Sequence, residues 1–150
     1  MLFLRRARRF LALAPPRRRL LLEAAVSLVR ARLDILFVPF PRMARRWGAL
    51  HEPGPLASVS EQEAATAREV AWAIDWAARL LPFRLVCLPR AVAAWHMLAR
   101  RQIGCRIHFG AQRIAGEKSL RTHAWVKAGS IEVTGVPESY TCAEIGYYGL

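Results

Sequence analysis

The chain has 150 residues, of which 54% are hydrophobic, and its formal net charge is +12. This length allows one domain with a hydrophobic core and is too short for two comfortable ones. The three cysteines are an odd number at irregular spacing, and no secretion signal precedes them, so we expect a reducing, cytoplasmic setting without a disulfide framework.

Seven arginines fall within the first 19 residues. Such an arginine arm attracts nucleic acid, an anionic membrane surface or an acidic polypeptide. The positive charge alone does not indicate which of the three it binds. A solvated arm without a dedicated partner fits the same charge. The most apolar span, 20–40, is interrupted by charged residues, so it predicts an amphipathic helix and not a membrane span.

Helical spacing of apolar residues from Arg17 to Phe37 predicts a first helix with one apolar stripe and arginines on the other face. The predicted stripe comprises Leu21, Ala25, Leu28, Leu33 and Leu36. The loop at 51–55, His-Glu-Pro-Gly-Pro, is the one candidate boundary. We therefore expect residues 1–56 to form a basic helical N-terminal region and residues 57–150 to form the core domain.

A second helix is predicted from Ser60 to about Leu81. Ser60 and Glu63 have the spacing of a capping box, in which each side chain satisfies a backbone donor of the other residue. The expected buried positions are Val70, Ile74, Ala77, Ala78 and Leu81, with Trp72 and Trp76 adjacent on the helix surface.

A third helix is expected to begin just after Cys87, because a proline such as Pro89 is tolerated in a first helical turn. From Arg106 onward, apolar and polar residues alternate, and 122–127 and 131–136 read as two strands around a turn at 128–130. Helices followed by strands predict an α+β fold.

Cys87 is the candidate nucleophile, because a helix N-terminus stabilises a thiolate. Four histidines compete to be its base. His96 is nine residues further along the same helix, which rotates it by about 180° and moves it about 13 Å away. His51 lies in the proline-rich loop, and we expect His108 to be a half-buried strand residue. His123 begins an alternating strand and is the best placed to face the helix start.

Four segments of this chain, in order, resemble those of a known family. They are Cys-Leu-Pro-Arg-Ala at 87–91, Leu-Ala-Arg-Arg at 98–101, Arg-Ile-His-Phe-Gly at 106–110 and His-Ala-Trp-Val at 123–126. Together they resemble the free-standing leader peptidases of lasso-peptide biosynthesis, which are transglutaminase-like cysteine proteases. The resemblance covers roughly residues 68 to 136.

The resemblance implies a transglutaminase-like (papain-like) core, with the nucleophile-bearing helix packed on a small antiparallel sheet. It implies a protease, without a cofactor or metal, that removes the leader from a ribosomally made precursor peptide. A separate ATP-dependent cyclase then joins the new amino terminus to an acidic side chain. Residues 1–83 read as helices, without the strands of a leader-recognition domain, so we expect a separate recognition protein. The arginine arm would dock that protein, an acidic stretch of the precursor, or the inner membrane surface.

One position departs from the family pattern. Family members usually place an aspartate eleven or twelve residues after the histidine, where this chain has Thr134 and Gly135. Pairing around a short turn would put either residue opposite His123, so that Thr134 could accept a hydrogen bond from the ring. Glu132 is the other candidate, if it lies on the same face, and a dyad without a third residue also stays open.

Four other interpretations are open to this sequence. A zinc site from Cys105, His108, His123 and Cys142 has only one tight ligand pair, and a nucleic-acid module lacks a recognition motif. A transglutaminase-like scaffold that binds the precursor without cleaving it would explain the missing aspartate. An amide-forming transferase is the other enzyme alternative, because an amine can resolve an acyl-thioester in place of water.

Overall fold

The computed structural model describes residues 8, 10–116 and 119–149. From Pro15 onward these residues form four α-helices and five β-strands. The helices are α1 (Pro15–Phe37), α2 (Phe40–Ala44), α3 (Glu61–Leu80) and α4 (Cys87–Ala99). The strands are β1 (Leu50–His51), β2 (Arg106–Arg113), β3 (Leu120–Ala128), β4 (Ile131–Thr134) and β5 (Ala143–Gly149), and a 3₁₀ turn (Glu138–Tyr140) precedes β5.

The five strands form one antiparallel sheet in the order β1-β5-β2-β3-β4. Side chains alternate between its two faces, and Ile107, Ala124 and Val126 join the hydrophobic core that α3 and α4 cover. His123 and Trp125 alternate with Ala124 and Val126 along β3. The predicted α+β class is confirmed, although β1 and β5 were not anticipated.

Helix α3 follows its sequence signals closely. The Ser60 hydroxyl accepts a hydrogen bond from the Glu63 backbone N–H at 3.3 Å, and the Glu63 carboxylate accepts one from the Ser60 backbone N–H at 2.7 Å. The predicted capping box is therefore confirmed. Trp72 and Trp76 stack with their ring centroids 5.8 Å apart.

Helix α1 packs against α3 and α4 and not as a separate appendage. Its buried apolar residues are Leu21, Ala24, Leu28 and Ala31. Leu33 and Leu36, which the sequence pattern assigned to the same stripe, are 49% and 61% exposed, so that part of the prediction is wrong. Ala24 and Ala31 explain why this face of α1 is the buried one, because small side chains let the helices approach closely along it.

The hydrophobic core crosses residue 56, the predicted boundary, since Met43 and Trp47 from the α2 region belong to the same cluster as Ile74 and Val92. Most of the predicted arginine arm, residues 1–7 and 9, lies outside the described residues. Among the residues that are described, none of the helices combines the length and apolar character needed to cross a membrane.

Candidate active site

A cavity of about 500 Å³ lies where the N-terminus of α4 meets the ends of β3 and β4. Cys87 comes to this cavity from α4 and His123 from β3, so the two residues that the sequence singled out share one site. The other side of the cavity is formed by α3 and by the segment after β4. Its further lining includes Trp72, Asp75, Arg90, Glu132, Thr134 and Gly135.

Cys87 is the first residue of α4 and is partly buried. Val86, the residue before it, is extended and supplies no side-chain cap to the helix. The first-turn N–H groups have no intrahelical partner, and the helix dipole makes this end positive. Both effects favour an oxyanion formed next to Cys87.

The imidazole of His123 is held by a backbone carbonyl group. Its Nε2 atom lies 3.1 Å from the carbonyl oxygen of Gly135. A carbonyl oxygen only accepts hydrogen bonds, so Nε2 carries the proton and donates it. In that neutral tautomer Nδ1 has a free lone pair and can act as a base. The ring also stacks on Trp125, with the centroids 6.0 Å apart.

Glycine is the one residue type that fits at position 135. Its φ angle is +90°, in the left-handed region that favours glycine. A Cβ atom at this position would lie 2.3 Å from the Cβ of Trp125 and 3.1 Å from Nε2 of His123. The absence of a side chain is therefore what lets the Gly135 carbonyl reach the histidine ring.

Thr134 does not occupy the orienting position predicted for it. The β3–β4 pairing puts Thr134 opposite Val126 and not opposite His123. The buried Thr134 hydroxyl instead accepts a hydrogen bond from the Val126 backbone N–H at 3.1 Å. The contact to the His123 ring comes from the next residue, through the Gly135 carbonyl.

Glu132, the other candidate for this role, lines the cavity but bonds elsewhere. Its carboxylate lies 3.3 Å from the Lys127 Nζ atom and accepts a hydrogen bond from the Tyr140 hydroxyl. That hydrogen bond raises the pKa of Tyr140. Glu132 therefore ties β4 to β3 and to the 3₁₀ turn at the cavity edge.

A cysteine at a helix N-terminus, a histidine on the adjacent sheet and a cavity between them form the arrangement expected of a thiol-dependent enzyme. The protein-family model described as the transglutaminase-like superfamily matches residues 34–142. The chain belongs to this superfamily. Transglutaminase-like domains are typically cysteine peptidases or transglutaminase-like enzymes. Neither the curated proteins nor the solved structures compared with the chain give a match.

One feature of this transglutaminase-like domain was not anticipated from its sequence. Arg90, one turn beyond Cys87, donates from Nη2 to Asp75 Oδ1 of α3 at 2.9 Å. The same carboxylate also accepts a hydrogen bond from Arg79. The Asp75–Arg90 pair links α3 to the first turns of α4 and so fixes the position of Cys87 relative to the cavity.

The other histidines of this transglutaminase-like domain lie elsewhere. His51 stacks on Tyr147, and His96 lies 3.7 Å from the Asp34 carboxylate. His108 is 2% exposed, more buried than predicted, and its Nδ1 atom is 2.7 Å from Glu144 Oε1.

The remaining cysteines are also outside the cavity. Cys105 is buried, and this burial raises the pKa of its thiol to about 12, so it is a poor nucleophile. The Cys142 sulfur lies 3.7 Å from a Gln112 side-chain oxygen. No cluster of three or more His, Cys, Asp or Glu side chains suited to a metal ion occurs among the described residues, so the zinc set considered above is not assembled.

Proposed function

We propose that this transglutaminase-like protein is a cysteine peptidase that removes the leader from a ribosomally made precursor peptide of the lasso type. The observation that carries the proposal is the shared cavity of Cys87 and His123, together with the His123 tautomer that leaves Nδ1 as a base. The order of the four sequence segments that resemble the lasso leader peptidases supports this substrate class.

The reaction would begin when Nδ1 of His123 takes the proton of the Cys87 thiol. The thiolate then attacks the scissile carbonyl carbon, and the first-turn N–H groups of α4 are the donors available to the oxyanion. The protonated imidazole gives its proton to the leaving amine, which releases the core peptide. Water, deprotonated by His123, then hydrolyses the thioester, and the leader leaves with a free carboxyl group.

The Gly135 carbonyl would perform part of the work of the usual aspartate. It holds the ring in the correct tautomer and orientation, as a triad acid does. It carries no full negative charge, so it stabilises the imidazolium less than a carboxylate would. We therefore expect a working Cys–His dyad that is slower than a complete triad.

The enzyme would act with two other proteins. A separate leader-recognition protein would deliver the precursor, and an ATP-dependent cyclase would take up the released core peptide. Both partners follow from the resemblance and are part of the proposal.

The test is to incubate the protein with a candidate precursor and recognition protein and to follow the products by mass spectrometry. The wild-type protein should release leader and core, and Cys87→Ala should release neither while still binding the precursor. Cys142→Ala is the matched control, because this thiol is outside the cavity, and it should cleave like the wild type. Cleavage by Cys87→Ala would rule out the thiol mechanism.

The uncharged partner of His123 also favours a second candidate, a scaffold that binds the precursor without cleaving it. For a scaffold, the wild-type protein would bind the precursor and recognition protein and release no product. An added amine separates the transferase alternative, because a transferase would form an amide between the leader carboxyl group and that amine.

A further inference from the structure

Helix α1 carries a second apolar stripe that faces solvent. Its members follow one another at intervals of four, three, four and three residues, so they lie on one helix face. The stripe comprises Leu22, Val26, Val29, Leu33 and Leu36, which are between 38% and 68% exposed. Phe37 and Phe40, also exposed, extend it at the end of the helix. We call these seven residues the outer stripe.

None of the outer-stripe residues belongs to the hydrophobic core, although the Phe40 ring contacts Trp47 and Phe109 edge-on. The opposite face of α1 already fills the contact with α3 and α4 through Leu21, Leu28 and two alanines. Five consecutive heptad-spaced aliphatic residues in water form a continuous patch, unlike the single exposed apolar residues that are normal on protein surfaces. A continuous patch of this kind marks an interaction surface.

The surroundings of the outer stripe are positively charged. Residues 1–56 contain twelve arginines and three acidic residues, so they carry +9 of the net charge of +12. Arg19, Arg30, Arg42 and Arg45 are exposed on or next to α1.

The two acidic residues of α1 are both engaged by arginines. Glu23 lies 2.7 Å from Arg101, and Asp34 lies within 4.0 Å of Arg30 and of Arg46. The charge presented beside the outer stripe is therefore of one sign.

We propose that the outer stripe rests on an anionic phospholipid bilayer, with its aliphatic side chains at the acyl boundary and the arginines on lipid phosphates. Interfacial helices combine an apolar face with arginines in this way, and polybasic segments add affinity for anionic lipid. A partner helix is selected by charges of both signs beside an apolar seam. The surface around the outer stripe is positive throughout, so it complements the negative surface of an anionic bilayer. The outer-stripe residues do not line the Cys87 cavity, so this inference does not depend on the proposed function.

The test is co-sedimentation of the full chain with vesicles of phosphatidylcholine alone or with about 30% phosphatidylglycerol, at about 0.1 M salt. We expect binding to the anionic vesicles that is about tenfold tighter or more than to the neutral ones, and that weakens as salt is raised. Val26→Ser combined with Leu33→Gln should lower this affinity about tenfold or more, since it removes two of the buried apolar groups.

The matched control is Leu120→Gln combined with Ile145→Gln, which changes two strand residues that are 57% and 63% exposed. It should bind vesicles like the wild type. Circular dichroism checks that both variants are folded. The comparison of the two lipid compositions uses the wild-type protein, so it does not depend on the folding of any variant. Equal binding to both vesicle types, no binding to either, or full binding by the outer-stripe variant would overturn the assignment. Loss of recognition-protein binding by that variant, without any vesicle binding, would assign the outer stripe to a protein partner instead.

Discussion

The Nε2 atom of His123 lies 3.1 Å from the carbonyl oxygen of Gly135, the residue that directly follows β4. This contact selects the neutral tautomer in which Nδ1 has a free lone pair. A main-chain group, and not a side chain, thus orients the imidazole.

Gly135→Ala should lower both stability and peptidase activity. A left-handed φ angle costs a non-glycine residue about 1 to 2 kcal/mol, and here the new Cβ also collides with Trp125, only 2.3 Å away. Gly116→Ala is the control, because its φ angle is +86° but nothing lies within 4 Å of the added Cβ. Thermal denaturation should show a larger loss for Gly135→Ala, and only this variant should lose kcat. Equal kcat in both variants would contradict the orienting role of the Gly135 carbonyl.

Stability should fall as the pH is lowered from about 7 to about 5.5. Burial lowers the pKa of His108 and of His96 below the ordinary 6.5, with Arg30 adding to the effect at His96. Below about 6.5 the unfolded chain therefore binds protons that the folded chain does not, so folding loses free energy as the pH falls.

Melting temperatures measured across this range for the wild type, His108→Gln and His96→Asn check the effect. Each variant should have a flatter pH dependence than the wild type. Glu23→Gln serves as the control. In the wild type, the hydrogen bond from Arg101 lowers the pKa of Glu23. The stability that this carboxylate contributes is therefore lost only below about pH 4.5. An unchanged slope in both histidine variants would refute the assignment.

Ser60→Ala should destabilise the protein by about 0.5 to 2 kcal/mol, because the first turn of α3 loses its cap. Ser58→Ala, two residues earlier at an exposed position, should have little effect. Chemical denaturation of the two variants measures the difference. A Ser60→Ala protein as stable as the wild type would mean that the cap contributes nothing to α3.

Leu28→Ala should cost about 2 to 5 kcal/mol, since Leu28 is fully buried where α1 meets the core. Leu33→Ala on the same helix should change stability by less than about 0.5 kcal/mol, because Leu33 is half-exposed. The same unfolding transition should report both variants. If both had small effects, α1 would be an appendage and not part of the domain.

The elements with strong local signals were predictable from the sequence. The capping box at Ser60, the proline at position 89 and the spacing of α1 each constrain the backbone within a few residues, and the helices begin and end close to the expected places. β5 was missed because its sequence, Ala-Glu-Ile-Gly-Tyr-Tyr-Gly, alternates weakly and contains two glycines.

The third member of the site was not predictable for a different reason. The register of β3 and β4, with its irregularity beside Val126, depends on how the two strands pack, and it puts Thr134 opposite Val126. A backbone carbonyl also carries no residue-type signal, whereas Thr134 and Glu132 do. The same limit applies to the outer face of α1, because helical spacing alone does not tell which of two apolar stripes becomes buried.

The central claim is that Cys87 and His123 act as one nucleophile and base. Alkylation by iodoacetamide at neutral pH, followed by peptide mapping, measures the reactivity of each cysteine without any substrate. We predict that Cys87 is labelled faster than Cys142 in the wild-type protein, and that His123→Ala slows the labelling of Cys87 by about tenfold or more while leaving Cys142 unchanged. Equal labelling of Cys87 in the wild type and in His123→Ala would contradict the account.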